Sequence, residues 1–169
     1  MAFTTPSTWV AGAILTAAQL NQQLRDNMIA TPRGVLGKQI LTTAFGTSAT
    51  HTTMQDTGQT LSITYEANRI LRVTVQAHYY PNGGQQSINM EIAWGATPTV
   101  VGRSFMDTVA LSSTSAQTST CVMYVSPGAT AGTATFKTRI GAASANTQVT
   151  QFADATLPRF FIVEDIGVA

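Results

Sequence analysis

The sequence predicts a mainly β protein: an antiparallel β-sandwich, with the jelly roll among its candidate forms, preceded by one short N-terminal amphipathic helix. Three observations predict it. Apolar residues recur at helical spacing only within the first 33 positions, and at a spacing of two from Gly34 onward. About eight short runs with strand character follow one another, separated by turn residues. Charged residues make up only 10% of the chain, with Thr, Ser, Gln, Ala and Gly in their place, against about 25% in ordinary soluble domains.

The helix has a defined start. Thr16 and Gln19 form a capping box, and Leu15 and Leu20 occupy the positions of a hydrophobic staple. Ala17, Leu20, Leu24 and Met28 then share one face, and Gln19, Gln22, Gln23 and Asp26 cover the other. Pro32 disfavours helix at Thr31, so the helix is expected over about 17–30. A helix this short is marginal alone in water, and its stripe needs a partner: the chain's own sheet, a second copy, or another protein. The chain thus divides into an N-terminal arm, residues 1–33, and a β-sandwich domain, residues 34–169.

In the second region Leu71 to Tyr79 alternates strictly, and Pro81-Asn82-Gly83-Gly84 marks a turn. Ile88, Met90, Ile92 and Trp94 then share one face, with Ser87, Asn89 and Glu91 opposite. These two runs are expected to pair as an antiparallel hairpin. A second hairpin is expected between 120–125 and 133–140, the latter with Ala134, Phe136, Thr138 and Ile140 on one face and Lys137 and Arg139 on the other. Weaker strands are expected at 38–45, 60–65, 100–106 and 147–152. The run from Arg159 to Glu164 is apolar on both faces at its centre, which suggests a central or interface strand. Residues 110–117 read as an exposed loop of low complexity.

Chemistry is sparse. His51 sits in a polar stretch and His78 on the polar side of a strand, neither at metal-ligand spacing from a second ligand. Glu164 and Asp165 are adjacent on a strand and point to opposite faces, unlike a general acid/base pair. No phosphate-binding glycine loop or nucleophile elbow is present. Catalytic, cofactor and metal sites are therefore not expected. Cys121 reads as a small apolar strand residue. A net charge of +1 without a basic cluster points away from nucleic acid and anionic lipid. No apolar run is long enough to span a bilayer, and the N-terminus lacks a secretion signal, so synthesis and retention in a cytoplasm are expected. Trp94, Tyr79 and Tyr80 raise carbohydrate binding as an alternative to sheet packing.

The stretch from Thr8 to Met28 carries a Trp (Trp9), then Gly12, then Leu15-Thr16-Ala17-Ala18-Gln19-Leu20-Asn21, then Arg25-Asp26-Asn27. It resembles a segment that opens small virion proteins of tailed phages, particularly those of actinobacterial hosts. The closing run from Pro158 to Gly167 is similar to the last strand of many of the same proteins. Together the two pieces cover about a fifth of the chain. The resemblance implies a structural component of the virion, made in the bacterial host cytoplasm: a capsid decoration, minor tail or fibre protein. Its implied partners are itself, as a homotrimer, and other virion proteins such as the major capsid or tail proteins. A host-surface glycan is the alternative partner. Trp9, Ile14, Leu15, Leu20, Leu24, Arg25 and Met28 are the candidate interface residues.

Overall fold

The computed structural model describes residues 11–12, 14, 16–21, 24, 28, 31–46, 53–82, 87–95, 99–107, 117–142 and 148–169. After a helix, α1 (Ala17–Leu20), the described strands are β1 (Gly34–Leu41), β2 (Phe45–Gly46), β3 (Gln55–Tyr65), β4 (Arg69–Asn82), β5 (Ser87–Trp94), β6 (Thr99–Asp107), β7 (Gln117–Val125), β8 (Gly132–Ala142), β9 (Gln148–Phe152) and β10 (Arg159–Val168). They form two antiparallel sheets. One runs β1-β10-β4, with β7 on the far side of β4 and β9 and β2 continuing the ladder; the other runs β3-β8-β5-β6.

The register reduces this to a simpler plan. β10 pairs with residues 69–76 of β4 and β9 with residues 78–82 of the same strand. Hence β9 and β10 are one long strand broken by an excursion over residues 153–158. β1 pairs with β10 and β2 with β9, so the first strand is also one long strand, broken over residues 42–44 at the same level. With these joined, the pairs are nested: first with last, β3 with β8, β4 with β7, and β5 with β6 at the centre. Wrapping such nested pairs into two facing sheets is the jelly roll.

The core lies between the sheets. Leu71, Val73 and Val75 of β4, with Phe161 and Val163 of β10, face Ile92 of β5 and Ala134, Phe136 and Ile140 of β8. Leu71, Phe136, Phe161 and Ile92 are fully buried, each contributing about 1.5–3 kcal/mol over an exposed position. Gly102 of β6 is required by this packing. A Cβ there would lie 2.1 Å from Cγ of Met123 on β7, which fills the space across the core. The alternating faces of β4, β5 and β8 match those read from the sequence, and β10 is central, flanked by β1 and β4.

Both expected hairpins are corrected. β4 and β5 lie in different sheets, as do β7 and β8. Their apolar faces meet across the core instead of lying side by side, an arrangement with the same alternation. The expected helix over 17–30 is described as α1 alone, with further helical residues at Asn21, Leu24 and Met28. The loop expected at 110–117 lies outside the described residues except for Gln117, which begins β7.

Candidate assembly surfaces

The arm begins as its sequence requires. Thr16 is extended, its Oγ1 accepting the Gln19 N–H at 3.2 Å, while Gln19 Oε1 accepts the Thr16 N–H at 3.0 Å. Ile14 is 92% exposed, Met28 73%, and Leu20 and Leu24 are exposed as well. Trp9, Leu15 and Arg25 lie outside the described residues. The arm is tied to the sandwich at its C-terminal end. Nη2 of Arg69 donates to the Thr31 carbonyl at 2.7 Å, and Arg33 pairs with Glu66 at 2.6 Å. Arg69 is itself held by Asp165 through two hydrogen bonds, at 2.8 and 2.7 Å, in a pair that is almost wholly buried.

The β1-β10-β4-β7 sheet turns outward a mixed face that is apolar toward β1 and at the tip of β7 and polar along β4. Registered neighbours place Ile40 beside Phe160, and Ile162 between Lys38 and Thr74, with Val122 beyond. A further row holds Val35, then the Glu164–Arg72 ion pair at 2.8 Å, then Tyr124. Val35, Ile40, Val122 and Tyr124 are exposed, and Phe160 and Ile162 half-buried.

The outer face of β3-β8-β5-β6 is different. One row crosses all four strands with alternating charge: Arg103 on β6, Glu91 on β5, Arg139 on β8 and Asp56 on β3. Glu91 is buried beneath its two arginines; Arg103 Nε donates to its Oε1 at 3.0 Å and Arg139 Nη1 to its Oε2 at 3.2 Å. Asp56 pairs with Arg139 at 3.1 Å and with Lys137 at 3.0 Å. Beside the row, Ser62 and Thr135 share a hydrogen bond at 2.8 Å. Charges scattered singly along the sequence are thus gathered by strand register.

The residues that suggested chemistry or sugar binding are mostly taken up by packing. His78 is buried, with Nδ1 2.7 Å from Thr118 Oγ1. His51 lies outside the described residues. Tyr79 is buried, donates to Met90 Sδ at 2.8 Å, and burial pushes its phenol well above the usual range. Burial likewise raises the Cys121 thiol, the opposite of what a reactive thiolate needs. Trp94 packs tilted on Phe136 and edge-on to Tyr65, at ring separations of 5.4 and 6.2 Å, and its half-buried ring lines a shallow cavity of about 300 Å³ with Gly95, Thr99 and Val101. Among the described residues no group of three or more His, Cys, Asp or Glu could hold a metal ion, and no helix is long and apolar enough to cross a membrane.

No protein-family model matches this chain, and no curated protein does. Among solved structures it is similar to Eiger TNF from S. frugiperda, at 8% identity and a TM-score of 0.47 over 81% of this chain and 96% of that one. It is also similar to the infectious bursal disease virus Gx strain structure, at 11% identity and a TM-score of 0.45 over 82% of this chain and 37% of that one. The VP2 subviral particle of the same virus gives 12% identity and a TM-score of 0.38, over 80% of this chain and 38% of that one. This chain spans little more than a third of the viral chains it resembles, and identities this low carry nothing about partners or activity.

Proposed function

We propose that this chain is a non-enzymatic structural component of a tailed-phage virion, placed on the particle exterior as a capsid decoration or tail-associated protein. It assembles as a homotrimer and attaches to other virion proteins through its arm. The observation that carries this reading is the pairing of a closed jelly-roll core with two outward apolar surfaces: the arm stripe of Leu20, Leu24 and Met28, and the outer face of the β1-β10-β4-β7 sheet. The core is satisfied without either surface, so both are available to neighbours. The phage-like motif around Trp9 and Thr16 supports the same reading, as does the low charge, which lowers the desolvation cost of packing copies together.

Deletion of residues 1–33 tests it. The sandwich is expected to stay folded, since β1 starts at Gly34 and the nested ladder is complete without the arm. Self-association, followed by light scattering, and binding to particles that lack this protein are expected to fall. Trp9→Ala alone should cost about 2 kcal/mol, roughly thirtyfold in affinity, if the indole fills an interface pocket. A folded deletion variant that assembles and attaches as before rejects the arm as the anchor.

A further inference from the structure

Two apolar features stand open at one end of the sandwich. The first is the cavity beside Trp94. β5 ends at Trp94 and β6 begins at Thr99, its register partner. Trp94, Gly95, Thr99 and Val101 line an open space of about 300 Å³. Gly95 has a φ of 89°, in the region that favours glycine, and donates its N–H to the Thr135 carbonyl at 3.0 Å. It therefore lines the cavity with backbone only. Val100, between Thr99 and Val101, is exposed as well. The lining carries no charge to meet an ion, while the indole and the valine offer apolar area.

The second feature is the arm stripe, and the arm is rooted at the same end. Tyr65, the last residue of β3, packs edge-on to Trp94 at 6.2 Å. The next residue, Glu66, pairs with Arg33 of the arm at 2.6 Å, and Arg69 holds the Thr31 carbonyl at 2.7 Å. Leu20, Leu24 and Met28 are nevertheless exposed, so the arm does not seat its stripe on its own sandwich. A cavity of about 150 Å³ takes a benzene-sized group, so the space beside Trp94 has room for one or two of these side chains.

We propose that the Trp94 cavity is the socket for the arm stripe of a second copy of this chain, with Leu24 and Met28 as the inserted side chains. The inference rests on the reading of the arm as the assembly element. Stripe and socket are different surfaces, so the contact is head-to-tail, and it closes into a ring where the rotation between copies permits. A trimer is such a ring.

Full-length variants on each side of the contact test it. Leu24→Asp with Met28→Asp spoils the stripe and leaves the cavity intact. Thr99→Arg sets a charged chain at the cavity mouth and leaves the arm intact; Thr99 is exposed, so the sandwich accepts the change. Each variant alone should associate about tenfold or more weakly than the parent in sedimentation. Mixed in equal amounts, the two should form a one-contact pair, because the first still offers the cavity and the second the stripe. In Trp9→Phe, where Trp94 is the one indole left, emission should move to shorter wavelength as concentration drives association. If Thr99→Arg associates like the parent while the stripe variant does not, the socket is rejected and the arm reading stands. A mixture that stays monomeric, or Trp94 emission that is independent of concentration in a chain that associates, also rejects the socket. If neither variant weakens association, the socket and the arm reading fall together.

Discussion

The two outer faces of the sandwich use the same strand alternation for opposite ends. On β3-β8-β5-β6 the outward positions carry hydroxyls and a row of alternating charge, with Glu91 buried beneath Arg103 and Arg139. On β1-β10-β4-β7 the outward rows are mixed: Val35, Ile40, Phe160, Ile162, Val122 and Tyr124 stand among Lys38, Thr74, Gln76, Thr120 and the Arg72–Glu164 pair. A face whose charges satisfy one another within the chain has little left to offer a neighbour. A face of Val35, Ile40, Val122 and Tyr124 has apolar area to bury. In the proposed assembly the second face therefore meets neighbours and the first stays in solvent.

The largest effect should come from the charged face. In Glu91→Ala, Arg103 loses its acid while Arg139 keeps Asp56, and the fold should lose about 2 kcal/mol through the missing charged hydrogen bonds, read as a lower urea midpoint with unchanged slope. Arg103→Ala should cost less than about 1 kcal/mol, because the Arg103 side chain is mostly exposed and Glu91 keeps Arg139. If the two variants are equally destabilised, the row is not organised around the buried acid.

The second effect should be on association and not on stability. Tyr124→Asp on the apolar face should weaken self-association about tenfold or more, while Ser62→Asp on the other face should leave it unchanged. Sedimentation of both variants separates the faces; equal behaviour would mean that the two faces do not differ in assembly. Thr16→Ala comes next. It removes the acceptor for the Gln19 N–H and should cost the arm helix about 1 kcal/mol, visible as weaker attachment with the sandwich melting as before.

Much of this fold is legible in the sequence because alternation reports which side of a strand is buried. It separates Ala134, Phe136, Thr138 and Ile140 from Lys137 and Arg139, and the run from Phe160 to Val163 marks β10 as a central or interface strand, of which the structure shows the first. Alternation does not report whether two apolar faces lie side by side in one sheet or face each other across a core. That is why β4 with β5, and β7 with β8, read as hairpins and are instead opposed across the sandwich. Register is equally hidden. Glu91, Arg139 and Asp56 are far apart in sequence and meet only through the β5-β8-β3 ladders. For the arm, the capping box at Thr16 is legible to the atom, since it depends on residues three apart. What covers Leu24 and Met28 is not legible: both are exposed in the structure, and helical spacing does not name a partner.

The smallest effect on the isolated chain should be the most informative about the assembly. Arg72 and Glu164 are 42% and 22% exposed, so in the free protein their pairing should contribute about 0–1 kcal/mol. Replacing both, as Arg72→Leu with Glu164→Leu, should scarcely move the urea midpoint. Once a second copy covers the apolar face, the pair must give up water, and its desolvation opposes association unless the neighbour completes its hydrogen bonds. The double variant should therefore associate as tightly as the parent or more tightly, whereas Arg72→Leu alone, which leaves Glu164 to be buried unpaired, should associate more weakly. A single variant that associates like the parent would mean that Glu164 remains in water in the assembly, and that the contact on this face is confined to Ile40, Phe160 and Val122, away from the Glu164 row.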